Sequence, residues 1–218
     1  MYVVIAGLSN VGTNLAELLS KAGNDVVVVD LSEERCTEAA SSSDIMVMAG
    51  DATKGPVLEE AGIKRADVLA ALTNDDSDNL MICMLGQQLG VKKVISMVND
   101  VTHADSFKQA GITYLVRPDA VLAKHIQYMI SQPYVKESFP FGGGELFEIE
   151  VGEGMKCVGR TLSEVNAHDG AKIIVVMRGG KRLEAEFVLQ PGDWLALIVD
   201  QESMKKSVNL MNKWFTKE

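Results

Sequence analysis

From residue 2 to about 117 the chain alternates short, nearly unbroken runs of β-branched and aliphatic residues with longer stretches of mixed polarity. The runs fall at residues 2–6, 25–29, 45–49, 67–71, 93–98 and 112–116. Such continuous apolar segments suit parallel strands covered on both faces. The stretches between them, 10–22, 32–40, 54–61, 77–89 and 102–110, predict helices. Six strands alternating with helices make an α/β fold with a doubly wound parallel sheet of the Rossmann type.

Residues 119–131 predict one more helix, starting after Pro118 and stopping ahead of Pro133, with Leu122, Ile126, Met129 and Ile130 on one face. That face suits either the domain's own sheet or a second subunit. Pro133, Pro140 and the triplet Gly142-Gly143-Gly144 then break the pattern and read as a linker. Beyond it, residues 145–151 alternate as a strand, 160–165 suit a helical turn or two, and 171–177 are apolar. Residues 178–181 (Arg-Gly-Gly-Lys) predict a hairpin turn. Residues 190–193 (Gln-Pro-Gly-Asp) suit a type II turn feeding a strand at 194–199, and a last helix is expected over 202–215. The expected organisation is a nucleotide-binding domain at 1–133, a linker at 134–144 and a smaller α+β domain at 145–218.

Composition fits this picture: 47% apolar and 23% charged residues are ordinary for a soluble chain with sizeable cores. A net charge of −9 and a pI near 4.9 argue against nucleic acid or anionic lipid as the main partner. Any bound phosphate must then rely on backbone amides and helix dipoles. No apolar run approaches the roughly 18 residues of a membrane span, and no secretory leader is visible, so a cytoplasmic location is expected. Cys36, Cys83 and Cys157 follow no ligand spacing and read as plain thiols, with no metal site expected.

The chemistry concentrates at the start. Residues 2–6 lead into Gly7-Leu8-Ser9-Asn10-Val11-Gly12, and Asp30 ends the second apolar run. Gly7 allows a tight strand-to-helix turn, and Gly12 lets the helix pack closely on the sheet. The N–H groups of Asn10 and Val11 open that helix toward a phosphate. Asp30 can accept hydrogen bonds from ribose hydroxyls, and its charge repels a 2′-phosphate, which favours NAD or an adenosine nucleotide over NADP. Gly50-Asp51-Ala52-Thr53 and Leu72-Thr73-Asn74-Asp75 follow the third and fourth strands, where a base or ribose is reached. Helix capping by Thr53 and by Asp76 or Ser77 is the plain alternative. His103, His125 and His168 have no evident partner and are not expected at the crevice, so an NAD-dependent oxidoreductase is the weaker alternative.

Set in order, Gly7 to Gly12, Asp30, residues 50–53, Thr73 with Asn79-Leu80, Val98-Asn99-Asp100, residues 111–118, residues 158–164 and residues 189–193 resemble the regulator-of-potassium-conductance family, specifically its TrkA/Ktr-type subunits. The likeness covers essentially the whole chain. It implies a non-catalytic sensor that binds NAD(H) or AMP, ADP or ATP through Gly7, Leu8, Ser9, Asn10, Val11, Gly12, Asp30, Leu31, Gly50, Asp51, Ala52, Thr53, Leu72, Thr73, Asn74 and Asn79. It also implies a homo-oligomer (dimer, tetramer or octameric ring) beneath a TrkH- or KtrB-like membrane potassium pore, held at the inner face of the membrane through that pore. The helix at 119–131 would then cross to a partner subunit, and nucleotide exchange would gate the pore through differential affinity for two ring shapes. Service to another cation transporter, such as a cation/proton antiporter, stays open. Three positions depart from the family pattern: Ser9 for a glycine, Asn10 for the arginine after it, and Met97 where the fifth strand often carries arginine. Without those guanidinium clamps, AMP or ADP is expected to bind at least as well as ATP.

Overall fold

The computed structural model describes all residues except 43, 44, 167–170, 185, 201, 203 and 218, so His168 lies outside the described residues; the side chains of 42, 204, 205 and 210 are likewise set aside. The chain forms two compact units, Met1–Ala120 and Val121–Glu218.

The first unit holds six parallel strands: β1 (Tyr2–Ala6), β2 (Asp25–Asp30), β3 (Met46–Ala49), β4 (Val68–Ala71), β5 (Lys93–Met97) and β6 (Tyr114–Val116), in the order β3-β2-β1-β4-β5-β6. Five helices alternate with them: α1 (Asn10–Lys21), α2 (Glu33–Ser42), α3 (Gly55–Glu60), α4 (Asp76–Gln88) and α5 (Ala104–Gln109). Both faces of the sheet are buried, which is why its strands show no polar alternation. Val3 and Ile5 pack with Val26, Val28, Ala16 and Cys36 on one side. Val4 and Ala6 pack with Val27, Val29, Leu58, Ile82 and Phe107 on the other. The strand order turns back at β1, which pairs with both β2 and β4. A crevice opens at such a switch point, outside the carboxyl ends of the strands.

The fifth helix is shorter than expected because residues 101–103 form a 3₁₀ turn, started by the Asp100 carboxylate accepting the Thr102 N–H at 2.8 Å. The sixth strand starts at Tyr114 rather than 112, since the Ile112 N–H is spent on the Phe107 carbonyl.

Helix α6 (Pro118–Ser131) leads into the second unit, whose antiparallel sheet runs β10-β9-β11-β8-β7. Its strands are β7 (Val135–Phe141), β8 (Gly144–Glu150), β9 (Ala171–Arg178), β10 (Lys181–Arg182) and β11 (Trp194–Asp200); α7 spans Leu162–Asn166 and α8 Met204–Phe215. Alternate residues Phe147, Ile149, Leu195, Leu197 and Val199 form the core with Met211 and Phe215.

Two expectations need correction here. Residues 134–144 are not a linker: most of them form β7, an edge strand paired with β8, and Gly142 and Gly143 make the two-residue hairpin turn with φ of +55° and +89°. Two consecutive positive φ values are what a type I′ turn demands, so the glycines close a hairpin rather than loosen the chain. The break between units also falls inside α6, ahead of residue 133. From Val121 onward that helix packs on the small sheet: Tyr128 meets Phe147 edge-on at 4.9 Å, and Lys124 pairs with the buried Glu145. The stripe Leu122, Ile126, Met129 and Ile130 stays exposed.

The turn at 190–193 has its expected form, with Gly192 at φ +85° and the Asp193 N–H bonded to the Gln190 carbonyl at 3.2 Å. Asp193 is wholly buried, and Arg178 of β9 meets it with two hydrogen bonds of 2.6 and 2.8 Å. Burial alone would raise this carboxyl. The guanidinium and the Gln190 N–H outweigh that and hold it below its ordinary value.

Candidate functional site

The site is built on the turn from β1 into α1. Gly7 has φ of +107°, and a Cβ there would lie 2.9 Å from the Leu72 carbonyl and the Thr73 nitrogen. A Cβ on Gly12 would overlap the Gly7 carbonyl oxygen. Both glycines are therefore fixed by close backbone approach. Ser9 is the N-cap of α1, its Oγ accepting the Gly12 N–H at 3.2 Å. Its hydroxyl hydrogen remains a donor. Asn10 and Val11 place their N–H groups in the open first turn, where the helix dipole favours an anion. Leu8 does not contribute there: its N–H donates to Asp30 Oδ2 at 2.6 Å and its side chain is buried.

Asp30 ends β2 and is 6% exposed. Its Oδ1 accepts the Ser32 N–H and Arg35 Nη2, each at 2.8 Å. The carboxylate expected to wait for ribose is thus already well occupied, and Arg35 is a site residue that the motif reading missed. No spacing rule announces it, because the contact depends on a side chain of α2 reaching back to the strand end.

Across the crevice, Thr73 is held by Asn79, whose Oδ1 accepts the Thr73 N–H and hydroxyl at 2.9 and 2.8 Å. The Asn79 amide donates to the carbonyls of Thr73 and Met97. Asn79 is fully buried with its polar atoms engaged in this way, so it positions the loops and is not available as a ligand contact. Leu72 and Met97 are also buried beneath the crevice. In the loop after β3, Asp51 Oδ1 accepts both the N–H and the hydroxyl of Thr53, at 2.9 and 2.6 Å. These bonds, hydroxyl first, hold the Asp51 carboxyl below its usual range. Capping differs from the expectation: Thr53 does not cap α3, whose N-cap is Lys54, and Asp75, rather than Asp76 or Ser77, caps α4 by accepting the N–H groups of Ser77 and Asp78.

Two connected hollows result. One of about 390 Å³ is lined by Gly7, Ser9, Asp30, Arg35, Thr73, Asn74, Asp75 and Asp78. A smaller one of about 70 Å³ shares Gly7, Asp30, Arg35, Thr73 and Asp78 and adds Val29, Leu31, Ile82 and residues 50–53. The crevice is acidic: Asp30, Asp51, Asp75 and Asp78 face Arg35, with Lys54 beside Asp51. Burial, then the neighbouring Asp75 and Asp51 charges, push the Asp78 carboxyl up.

A further cleft of about 670 Å³, which shares Asn74 and Asp75 with the larger hollow, lies at the carboxyl ends of β4, β5 and β6, between residues 74–77, 98–101, His103 and 117–120. Contrary to the expectation from sequence, His103 has a partner: its Nδ1 is 2.8 Å from Asp76 Oδ2, and Asp76 also accepts the N–H groups of Asn99 and Asp100. The bond to Asp76 pushes the imidazole pKa up. His125 lies in the second unit beside Ser138 and Glu137. Among the described residues, no cluster of His, Cys, Asp or Glu suits a metal, and no helix is long and apolar enough to cross a membrane. The three cysteines are free and buried, with burial pushing the Cys83 thiol up to about 12 and Cys157 up to about 11.

The TrkA-N domain family matches residues 3–118 and the TrkA-C domain family residues 146–212. The chain belongs to the TrkA family. Among curated TrkA relatives, the "Trk system potassium uptake protein TrkA homolog" of Methanothermobacter thermautotrophicus is 32% identical over 95% of this chain and 97% of its own. Among solved structures, the GsuK channel superposes on 99% of the chain with a TM-score of 0.69 and 20% identity. That match covers only 39% of the channel chain, so it shows a shared fold alone. The AMP-bound form of the Shewanella denitrificans Kef CTD matches 60% of this chain and 80% of that one, with 26% identity and a TM-score of 0.50.

Proposed function

We propose that the chain is a regulatory subunit of a potassium uptake system that binds NAD(H) or an adenosine nucleotide and passes the bound state to a separate membrane pore of the TrkH or KtrB type. The observation that carries this reading is the crevice itself. A glycine turn that no Cβ can enter, an open helix start and a buried strand-end carboxylate converge at the switch point of a TrkA-N fold. These residues fit a nucleotide. The first turn of α1, with Ser9, would hold phosphate, Asp30 would take ribose hydroxyls, and the loop at 50–53 with Leu31 would border the base. The family relative named for potassium uptake and the AMP-bound Kef neighbour support the same reading.

The protein acts without catalysis in this account and works from the cytoplasmic side as an oligomer (a dimer, or a tetramer or octameric ring of them). The exposed apolar stripe of α6 is the natural seam between copies. Nucleotides gate only through a difference in affinity between two assembly shapes. The test reconstitutes the chain with its pore subunit in vesicles and measures potassium flux as NAD+, NADH, AMP, ADP and ATP are added. Flux that follows the nucleotide and is lost with Gly12→Ala supports the reading. Flux indifferent to every nucleotide, or nucleotide turnover across a substrate panel, overturns it.

A further inference from the structure

The Asp30 carboxylate is the strand-end group assigned above to a ribose, and its acceptor sites can be counted. An ionised carboxylate offers about four lone-pair positions. Three are filled: Oδ1 takes the Ser32 N–H and Arg35 Nη2, and Oδ2 takes the Leu8 N–H. One position on Oδ2 remains. A ribose with both 2′- and 3′-hydroxyls brings two donors, so one occupant has to leave.

The occupants are unequal. Leu8 lies in the turn locked by the glycines, and the Ser32 N–H is held two residues along the same backbone from Asp30, at the entry to α2. Arg35 reaches in on a flexible stem, and its side chain is 48% exposed against 5% for Asp30. Its departure costs one ion pair and leaves a solvated guanidinium, whereas displacing a backbone N–H would distort the turn. Arg35 and Asp30 also line both hollows, so the pair stands between the space over the glycine turn and the space beside the loop after β3.

We propose that Arg35 is a latch on the nucleotide site: its guanidinium holds the second acceptor position of Asp30, and a ribose diol must take that position from it. The inference rests on the nucleotide reading above and adds a specificity residue to it. The latch lowers affinity for ligands with an intact 2′,3′-diol and leaves a ligand with only one hydroxyl of that pair unaffected, because the free position on Oδ2 serves that one. It makes the cost of entry depend on the sugar rather than on the phosphates.

The test is calorimetric titration of the full chain and of Arg35→Met and Arg35→Lys with adenosine and 2′-deoxyadenosine, with AMP as the control for nucleotide binding. Arg35→Met is expected to tighten adenosine about 3- to 5-fold, the upper range of a partly exposed ion pair. It should leave 2′-deoxyadenosine within about twofold, and Arg35→Lys should fall between. Thermal melts confirm that each variant is folded. Weaker adenosine binding in Arg35→Met would mean that Arg35 grips the ligand and would overturn the latch. So would an equal change for both nucleosides. Absence of binding by any of the three ligands to the wild-type chain would remove the nucleotide reading and the latch together.

Discussion

Asn79 shows how much of the site hangs on one side chain that never faces it. Its amide ties Thr73 to the end of β5 through four hydrogen bonds, two accepted and two donated. Asn79→Ala would leave the half-buried Thr73 N–H and hydroxyl without their acceptor and take from the buried Met97 carbonyl one of its two side-chain donors, the Ser96 hydroxyl being the other. The expected loss is about 2–3 kcal/mol in denaturant unfolding, with nucleotide affinity falling as the Thr73 loop loosens. Asn79→Asp keeps the acceptor and should lose less on the Thr73 side. The expected phosphate preference also rests on single residues. Ser9, Asn10 and the buried Met97 offer no guanidinium, and Asp75 and Asp78 border the larger hollow. AMP or ADP is therefore expected to bind at least as tightly as ATP in calorimetric titration; ATP tighter by tenfold would contradict this. The motif residues Gly7, Ser9, Asp30 and Thr73 were legible in the sequence because the turn geometry dictates them. Arg35 and Asp78 were not, since they enter through side-chain reach that no local pattern encodes.

Among elements, the runs of β1, β2, β4 and β5 could be read directly: strands buried on both faces are mostly apolar, and their shortness and β-branched residues set them apart from buried helices. β7 could not. It is an edge strand with Lys136 and Glu137 exposed, and its glycine turn has the composition of a linker. Only pairing with β8 makes it a strand. The link from β9 to the turn before β11 also depends on tertiary context, through Arg178 and the buried Asp193. Arg178→Met is expected to cost about 3 kcal/mol, because it leaves a carboxylate buried without its counter-charge. The same pair sets a pH dependence. The folded carboxyl lies below its ordinary 3.8, so the stabilisation is full above that value and is lost as pH falls through the lower folded value. Acid titration of the wild type should show this loss of stability below about pH 4, and Asp193→Asn should flatten that limb.

At the scale of the whole molecule, two surfaces invite other chains, and they differ in kind. The α6 stripe of Leu122, Ile126, Met129 and Ile130 is apolar and lies on a regular helix, the form in which a second copy is met side by side. Ile126→Glu with Ile130→Glu is expected to shift sedimentation from oligomer to monomer while the far-ultraviolet circular dichroism stays unchanged; an unaltered mass would place the seam elsewhere. The free edge of β7 carries Phe139 and Phe141, each more than half exposed, beside a row of backbone groups that a stray strand could join. Pro140 lies between the two rings and has no N–H to offer. A proline there, with Lys136 and Glu137 earlier on the strand, turns an adhesive edge into one on which no growing sheet finds a continuous ladder. Copies of the chain held at high local concentration thus lack, along this edge, the template from which a fibril grows.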